Sequence, residues 1–233
     1  MARERILFFG AHPDDSEGFA GTAFLLRDSY ELHVVDLTRG ERGLGPHGLA
    51  DGSTGRIREQ EERAACAVLH AKPHFLGEVN GDCHASAAAA RMSVDLLREL
   101  RPRAVFTHWP VDTHADHVQC AAVTLSALDI LRRAEGWTTE LYFYEVLQSQ
   151  TMQFQVRYSV DISRTLESKS RLLRCHASQN PGDALVRMKM DQAAVRGAER
   201  CPAVAAAEVF ATMDGRAIDG GVLAHLPETA VCI

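Results

Sequence analysis

Two short clusters of histidines and carboxylates hold the residues of this sequence that are best suited to chemistry. The first is AHPDDSE, residues 11–17, which carries one histidine and three acids. The second is HADH, residues 114–117. Imidazole nitrogens and carboxylate oxygens are ligands that zinc takes in proteins. The two clusters therefore predict a zinc site if the fold brings them together.

His12 and Asp15 in the first cluster are a suitable nitrogen and oxygen ligand pair. Pro13 restricts His12 to an extended backbone, and a helix N-terminus alone is too weak an attraction to hold three acids. A bound cation would balance them and leave Asp14 unligated beside the metal. The alternative is an acidic, solvated turn with one histidine, which is the better interpretation of an isolated HxxD.

His114 and His117 in the second cluster lie three residues apart and share one face of a helix. His12, Asp15 and His117 make three protein ligands and leave a position for water, which is the pattern of a catalytic zinc site. His114 and Asp116 then stay off the metal. The alternative is a histidine pair at a helix start that contacts only solvent and a neighbouring acid, and the presence of two such clusters argues against it.

The segments that must position these clusters alternate between strands and helices. The apolar run ILFFG leads into the first cluster, and AVFTH ends shortly before the second. Such alternation predicts an α/β fold: a Rossmann-like, doubly wound, mostly parallel sheet flanked by helices. Ligands in open α/β sheets bind at the carboxyl ends of the strands, where the strand order reverses. We therefore expect the strands over 5–11 and 104–108 to be neighbours.

The remaining segments follow the same alternation. Further strands are predicted over 31–38, 74–78, 141–146 and 155–162, and helices over 18–28, 56–70, 85–100, 114–133, 163–175 and 184–200. AAAEVFATM can be a strand or a helix, and the tail from Asp214 reads as irregular. The glycine-rich loop over 39–55 is long enough to be functional or disordered. The 233 residues are 46% hydrophobic, which fits a single domain over 1–233.

Composition argues against several classes of protein. The net charge is -6 with scattered basic residues, so no nucleic-acid-binding face is expected. No stretch reaches the length of a membrane span, and the N-terminal apolar run is too short for a signal peptide. The six cysteines contain no CxxC pair, which is typical of reduced thiols. These features predict a cytoplasmic protein whose partner is a small molecule.

AHPDDSE followed by HADH resembles the LmbE-like, or PIG-L-type, family of zinc-dependent N-acetylglucosamine deacetylases. DLTRGERG, IREQEERAACAVL, HASQ and AEVF are similar to further family segments, so the resemblance runs from about Ile6 to Phe210. Two departures stand out. Ala115 occupies a position where the family usually has proline, and the segment between Glu17 and Thr22 is one residue shorter than the usual glycine-rich form.

The resemblance implies a role for each residue of the two clusters. One zinc ion per chain would be held by His12, Asp15 and His117, with Asp14 as the general base. His114 would stabilise the oxyanion, and Asp116 would orient His114. Substrate binding is implied for Arg58, Arg39, Glu41 and Arg42. Zinc lowers the pKa of bound water to about 7 and polarises carbonyls, which suits an unreactive acetamide.

The implied function is removal of the N-acetyl group from an N-acetylglucosamine-containing small molecule, such as a GlcNAc-malate-like bacillithiol precursor. A homo-oligomer is compatible with the resemblance. One alternative is a zinc amidase acting on a thiol-sugar conjugate. Another is a non-catalytic sugar-binding module, which would be favoured if a ligand or the base were missing. A dinucleotide-binding oxidoreductase is rejected because the glycine spacing fails GxGxxG and the acids would repel a pyrophosphate.

Overall fold

The computed structural model describes residues 3–43 and 53–232, and within them the chain builds one mixed sheet. Its strands are β1 Arg5–Gly10, β2 Glu31–Thr38, β3 Ala71–Glu78, β4 Ala104–His108, β5 Glu140–Tyr144, β6 Tyr158–Asp161, β7 Ala207–Ala211 and β8 Thr229–Val231. The helices are α1 Ala20–Leu26, α2 Ser53–Leu69, α3 Ala87–Leu100, α4 Ala115–Glu135, α5 Leu166–Leu173 and α6 Ala184–Glu199.

The sheet order is β3-β2-β1-β4-β5-β7-β6-β8. The strands from β3 to β5 are parallel, and β7, β6 and β8 extend the sheet with antiparallel pairings. Strand β1 pairs with β2 on one side and with β4 on the other, so the strand order reverses beside β1. The prediction of a doubly wound, mostly parallel sheet is confirmed, as is the expected neighbourhood of β1 and β4.

Strand β1 is fully buried because helices cover both faces of the sheet. Ile6 and Phe8 belong to one apolar cluster, and Leu7 and Phe9 belong to the other. Phe8 stacks on Phe106 of β4 with ring centroids 4.7 Å apart. Burial on both faces explains why this strand is a continuous apolar run without alternation.

The start of the first helix differs from the prediction. The chain first makes a 3-10 turn over Asp15–Gly18, and α1 begins only at Ala20. A Cβ on Gly18 would lie 2.6 Å from the Tyr144 ring, so only glycine fits this close approach to the sheet. The turn holds the first cluster directly at the carboxyl end of β1.

Two segments near the C-terminus had weak patterns. Strand β8 lies in the tail that was predicted to be irregular, and AAAEVFATM, which was left open between strand and helix, contains strand β7. Helix α2 buries the charged residues Arg58 and Glu62 and exposes the apolar Ala64. The buried face of α2 is charged because it covers the acidic turn after β1 and not only apolar core.

Two buried ion pairs fix the segment that follows the first cluster. Glu208 accepts hydrogen bonds from the backbone N–H groups of Gly21 (2.8 Å) and Thr22 (2.7 Å) and from Lys169 Nζ (2.7 Å). Lys189 Nζ lies 2.8 Å from Glu17 Oε1, and its side chain is 1% exposed. Each buried charge therefore has an opposite charge beside it, as low-dielectric surroundings require.

We expect Lys189→Met to destabilise the protein by about 3–5 kcal/mol, because it leaves Glu17 buried without its counter-charge. Urea-induced unfolding measures the change. Lys72→Met is the matched control, because Lys72 pairs with Glu31 but its side chain is 64% exposed, and it should have little effect. Equal stabilities of the two variants would contradict the prediction.

No helix within residues 3–43 and 53–232 is both long and apolar enough to cross a bilayer. All six cysteines are free thiols; Cys66, Cys83 and Cys120 are buried, and Cys201 is exposed.

Candidate active site and metal centre

Asp15 is the centre of the first cluster and is 4% exposed. Its Oδ2 accepts hydrogen bonds from the backbone N–H groups of Ala11 (2.7 Å) and His12 (2.9 Å), and lies 2.8 Å from Nε2 of His108. Its Oδ1 lies 3.5 Å from Nε2 of His117. Burial alone would raise the pKa of Asp15, but the two histidines hold it well below its usual value. Oδ2 of Asp15 thus has its hydrogen-bond partners within the protein, whereas Oδ1 faces His117.

A carboxylate contacts the rear nitrogen of each predicted histidine ligand. Nε2 of His12 lies 3.0 Å from Asp116 Oδ2, and Nδ1 of His117 lies 3.3 Å from Asp112 Oδ1. Such pairs place the ring proton on the contacted nitrogen and leave a lone pair on the other nitrogen. The free atoms are Nδ1 of His12, which lies 3.8 Å from Asp15 Oδ2, and Nε2 of His117. Burial opposes a charged His117 ring, but Asp15 and Asp112 raise the pKa of His117 to about 10. A metal would therefore displace the Nε2 proton on binding, and this donor set fits a divalent metal.

The structure offers two overlapping groups of candidate ligands. The donor atoms of His12, His114 and His117 lie within 4.8 Å of one another, and so do those of Asp15, His108 and His117. His117 belongs to both groups. The three predicted ligands lie in one cluster, but they are divided between the two groups, so their assignment as the ligand set stays a prediction.

Asp14 lies beside these donors without belonging to either group. Its backbone is left-handed, with φ 109° and ψ -16°, a conformation that residues other than glycine adopt only under constraint. Its Oδ1 accepts a hydrogen bond of 2.7 Å from Nη2 of Arg58, and 19% of its side chain is exposed. Burial raises the pKa of Asp14 well above its usual value, against the opposing effect of Arg58.

Asp116 contacts both His12 and His114. Its carboxylate contacts His12 and accepts a hydrogen bond of 2.6 Å from the N–H of Gly81, and it does not contact the ring of His114. The backbone N–H of Asp116 instead donates to Nδ1 of His114 over 3.2 Å. The His114 ring therefore carries its proton on Nε2 when it is neutral. Asp116 orients His12 with its carboxylate and His114 with its backbone.

A polar cleft of about 300 Å³ opens over the cluster. Besides the residues above, it is lined by Arg42, Asn80, Val146, Leu147, Gln150 and Gln179. Arg58 also lines it and is 3% exposed, so it is not a solvated charge on the outer face of α2.

Arg42, a predicted substrate-binding residue, lines this cleft, whereas Arg39 and Glu41 do not. Arg39 pairs with Glu59 over 3.1 Å. Glu41 accepts a hydrogen bond of 3.1 Å from the N–H of Asn80. The part of the predicted functional loop over 44–52 lies outside the described residues.

Comparison with known proteins identifies the family of this chain. The family model PIG-L, described as GlcNAc-PI de-N-acetylase, matches residues 7–128, which contain both clusters. The chain belongs to the PIG-L family. The family prediction made from AHPDDSE and HADH is therefore confirmed.

Curated relatives of this PIG-L chain align with most of its length. The deacetylase of 1D-myo-inositol 2-acetamido-2-deoxy-alpha-D-glucopyranoside from Mycolicibacterium smegmatis is 29% identical and covers 91% of this chain and 83% of its own. The protein of the same name from Thermobispora bispora is 28% identical and covers 77% and 80%.

Solved structures share the fold of this PIG-L chain. The N,N'-diacetylchitobiose deacetylase from Pyrococcus horikoshii superposes with a TM-score of 0.78 at 23% identity, covering 91% of this chain and 84% of that one. The 4-carboxy-2-hydroxymuconate hydratase GalB from Pseudomonas putida KT2440 superposes with a TM-score of 0.80 at 23% identity, covering 92% and 98%. At such identities the likeness shows the fold alone, and the fold prediction is confirmed.

His108 is the residue of this PIG-L site that the sequence interpretation missed. It is 1% exposed, and its ring stacks on His117 with centroids 4.1 Å apart. Burial and His117 lower the pKa of His108 to about 4, so the ring is neutral at neutral pH. His108 ends β4 at the same sheet edge as AHPDDSE. This position could have identified His108 as a site residue from the sequence.

Proposed function

We propose that this PIG-L family protein is a zinc-dependent deacetylase that removes the N-acetyl group from an N-acetylglucosamine-containing small molecule. The observation that carries the proposal is the presence of His12, Asp15 and His117 in two overlapping groups of metal-type donors, next to Asp14 in the lining of one cleft. The family description and the named activities of the curated relatives support the same reaction.

His12, Asp15 and His117 would hold the metal. A zinc ion bound there supplies Lewis-acid chemistry toward the acetyl carbonyl and the attacking water. Asp14 accepts a proton from that water while the water oxygen forms a bond to the carbonyl carbon. The protonated Asp14 then gives the proton to the departing amine as the C–N bond breaks, which leaves acetate and a free amino sugar.

His114 stabilises the negative charge that develops on the carbonyl oxygen. Its Nδ1 accepts the N–H of Asp116, so the neutral ring presents Nε2–H as a donor at the cleft wall. Donors that are fixed before the reaction act strongly because they need no reorganisation when charge develops. A neutral His114 therefore serves as an oxyanion donor without being protonated on both nitrogens.

The substrate class follows from the lining and from the relatives. The cleft is mainly polar and has the size of a small-ligand pocket, which suits a sugar conjugate. GlcNAc-inositol is the substrate that the relatives' names give, and a GlcNAc-malate-like bacillithiol precursor is the second candidate aglycone. Action on a free small molecule in the cytoplasm is part of this proposal.

A panel of N-acetylglucosaminides with inositol, malate and other aglycones tests the proposal by the release of acetate from the zinc-loaded protein. We expect release from at least one member and none after chelation. A thiol-sugar amide in the same panel tests the amidase alternative. Cleavage of this amide alone would favour an amidase. Binding of a glucosaminide without any acetate release would identify a sugar-binding module instead.

Arg58→Ala should raise KM about tenfold, because a charge-assisted hydrogen bond to the substrate is worth about 1.5–3 kcal/mol, and should leave bound metal intact. Steady-state kinetics with a verified substrate and metal analysis measure the two effects. Arg63→Ala is the matched control, because Arg63 lies on the exposed face of the same helix and pairs with Glu59. An unchanged KM in Arg58→Ala would remove Arg58 from the substrate contacts.

A further inference from the structure

His108 is a buried histidine that contacts two predicted metal ligands, Asp15 and His117. It ends β4, the strand that pairs with β1 beside the first cluster. Its Nε2 lies 2.8 Å from Oδ2 of Asp15, and its ring stacks on the His117 ring with the centroids 4.1 Å apart and the planes 10° apart. The residue is 1% exposed, so solvent competes little for either contact.

The contact with Asp15 determines which nitrogen of His108 carries the proton. An ionised carboxylate only accepts hydrogen bonds, so Nε2 of His108 is the donor in this pair. The N–H of Ala11 lies 3.2 Å from the same nitrogen but 2.7 Å from Asp15 Oδ2, which is its acceptor. Nδ1 of His108 has no hydrogen-bond partner within residues 3–43 and 53–232. Nε2 therefore offers Asp15 a proton and offers a metal no lone pair, although His108 belongs to one of the candidate ligand groups.

Among the donors to Asp15 Oδ2 in the described part of the chain, His108 alone comes from outside the first cluster. The other two are the backbone N–H groups of Ala11 and His12, which belong to the same turn as Asp15. Through its ring stack on His117, the His108 side chain also contacts the second cluster. His108 therefore links the orientation of Asp15 to the position of His117.

The His108 ring is confined by a further neighbour. Its centroid lies 4.8 Å from that of the Tyr144 ring, and Tyr144 is itself fixed because its hydroxyl donates to the carbonyl of Phe9 over 2.8 Å. Buried polar groups whose hydrogen bonds are made in this way rigidify their surroundings. Oδ2 of Asp15 is thereby held by donors, and Oδ1, which lies 3.5 Å from Nε2 of His117, is the oxygen left for a metal.

We propose that His108 is a positioning residue for Asp15 and not a metal ligand. By donating to Oδ2, His108 restricts Asp15 to metal binding through Oδ1, beside His117. Carboxylate ligands are commonly held by hydrogen bonds from outside the ligand set, and loss of such a partner typically lowers metal affinity about tenfold to a hundredfold. The inference rests on the proposed function because it needs a metal in this site.

Two substitutions of similar shape separate the donor from the volume. His108→Gln keeps an N–H donor at the end of the side chain, whereas His108→Met fills similar space without a donor. Both variants lose the ring that stacks on His117, so the difference between them reports the hydrogen bond to Asp15. We expect the Kd for zinc of His108→Met to rise about tenfold to a hundredfold and that of His108→Gln to stay near the wild-type value. Competition with a chromophoric chelator measures both, and equal Kd values in the two variants would overturn the inference.

Crystal structures of the zinc-loaded wild type and of zinc-loaded His108→Gln test the ligand set directly. In the wild type, zinc should bind Oδ1 of Asp15, and Oδ2 should keep its hydrogen bond from His108. In His108→Gln, the amide N–H should donate to the same oxygen. Zinc bound to a nitrogen of His108, or to both oxygens of Asp15 in the wild type, would overturn the inference.

His33→Met controls for the loss of a buried histidine from the sheet. His33 lies on β2, is 1% exposed and also contacts a carboxylate, with its Nε2 3.1 Å from Glu31 Oε1. This variant should lower the midpoint of thermal unfolding without changing the Kd for zinc. A rise in Kd as large as that of His108→Met would overturn the inference, because lost stability would then explain both.

The outcomes distinguish the inference from the proposed function. A wild type that binds zinc but releases no acetate from any glucosaminide would contradict the proposed function alone, because zinc affinity is measured without substrate. Equal Kd values in His108→Gln and His108→Met would overturn the inference alone, whether or not acetate is released. A wild type that binds no zinc would contradict both.

Discussion

Asp14→Asn should lower kcat by about 10² to 10⁴, the usual loss when a general base is removed. The amide keeps the shape of the side chain and still accepts a hydrogen bond from Arg58, but it cannot take the proton from water. Zinc content and KM should change little, because Asp14 belongs to neither group of candidate ligands. The decisive measurement is kcat of the metal-loaded variant on a verified substrate.

Asp95→Asn is the matched control, because Asp95 lies on the outer face of α3 with 76% of its side chain exposed. Its kcat should equal that of the wild type. If Asp14→Asn also stayed within a few-fold of wild type, the base would have to be another residue. Glu17 and Asp116 would be the next candidates for the base. Glu17 is paired with Lys189, and Asp116 is paired with His12.

His12→Ala and His117→Ala should each abolish most metal binding. Each removes a predicted nitrogen ligand whose ring contacts a carboxylate on its far side, and alanine offers no replacement. Metal analysis of untagged protein after dialysis against dilute zinc measures the loss, and equilibrium titration gives the change in Kd. Full retention of metal in both variants would remove them from the ligand set.

Asp15→Ala and His114→Ala decide between the candidate ligand sets. If His12, Asp15 and His117 bind zinc, Asp15→Ala loses the metal and His114→Ala keeps it. The opposite result would favour the group formed by the three histidines at positions 12, 114 and 117. His84→Ala is the control for adventitious histidine binding, because 72% of the His84 side chain is exposed, and it should bind metal like the wild type.

The strongest sequence patterns predicted the correct architecture. ILFFG is an apolar run, which predicts a strand buried on both faces, and β2 begins and ends at the predicted residues. The adjacency of β1 and β4 followed from a general rule about strand ends. Strand β8 could not be predicted, because three residues at a sheet edge pair through their backbone and need no apolar pattern.

Contacts within the site were harder to predict than its composition. The cluster HADH did not indicate that the Asp116 carboxylate would contact His12 while the Asp116 backbone contacts His114. The orientation of the carboxylate depends on the position of Gly81, whose N–H donates to it. Glu62 looked like one more charge on a charged helix. Its burial depends on α2 covering the turn after β1, and that is a tertiary fact which helical periodicity does not record.

The central position of β1 has a consequence for the order in which this protein becomes functional. Strand β1 pairs with β2 soon after it in the chain and with β4 only about a hundred residues later, a non-local pairing that forms slowly. The ribosome releases His12 and Asp15 long before His117. The nascent chain therefore carries only part of the predicted chelating group until β4 and the start of α4 have been made.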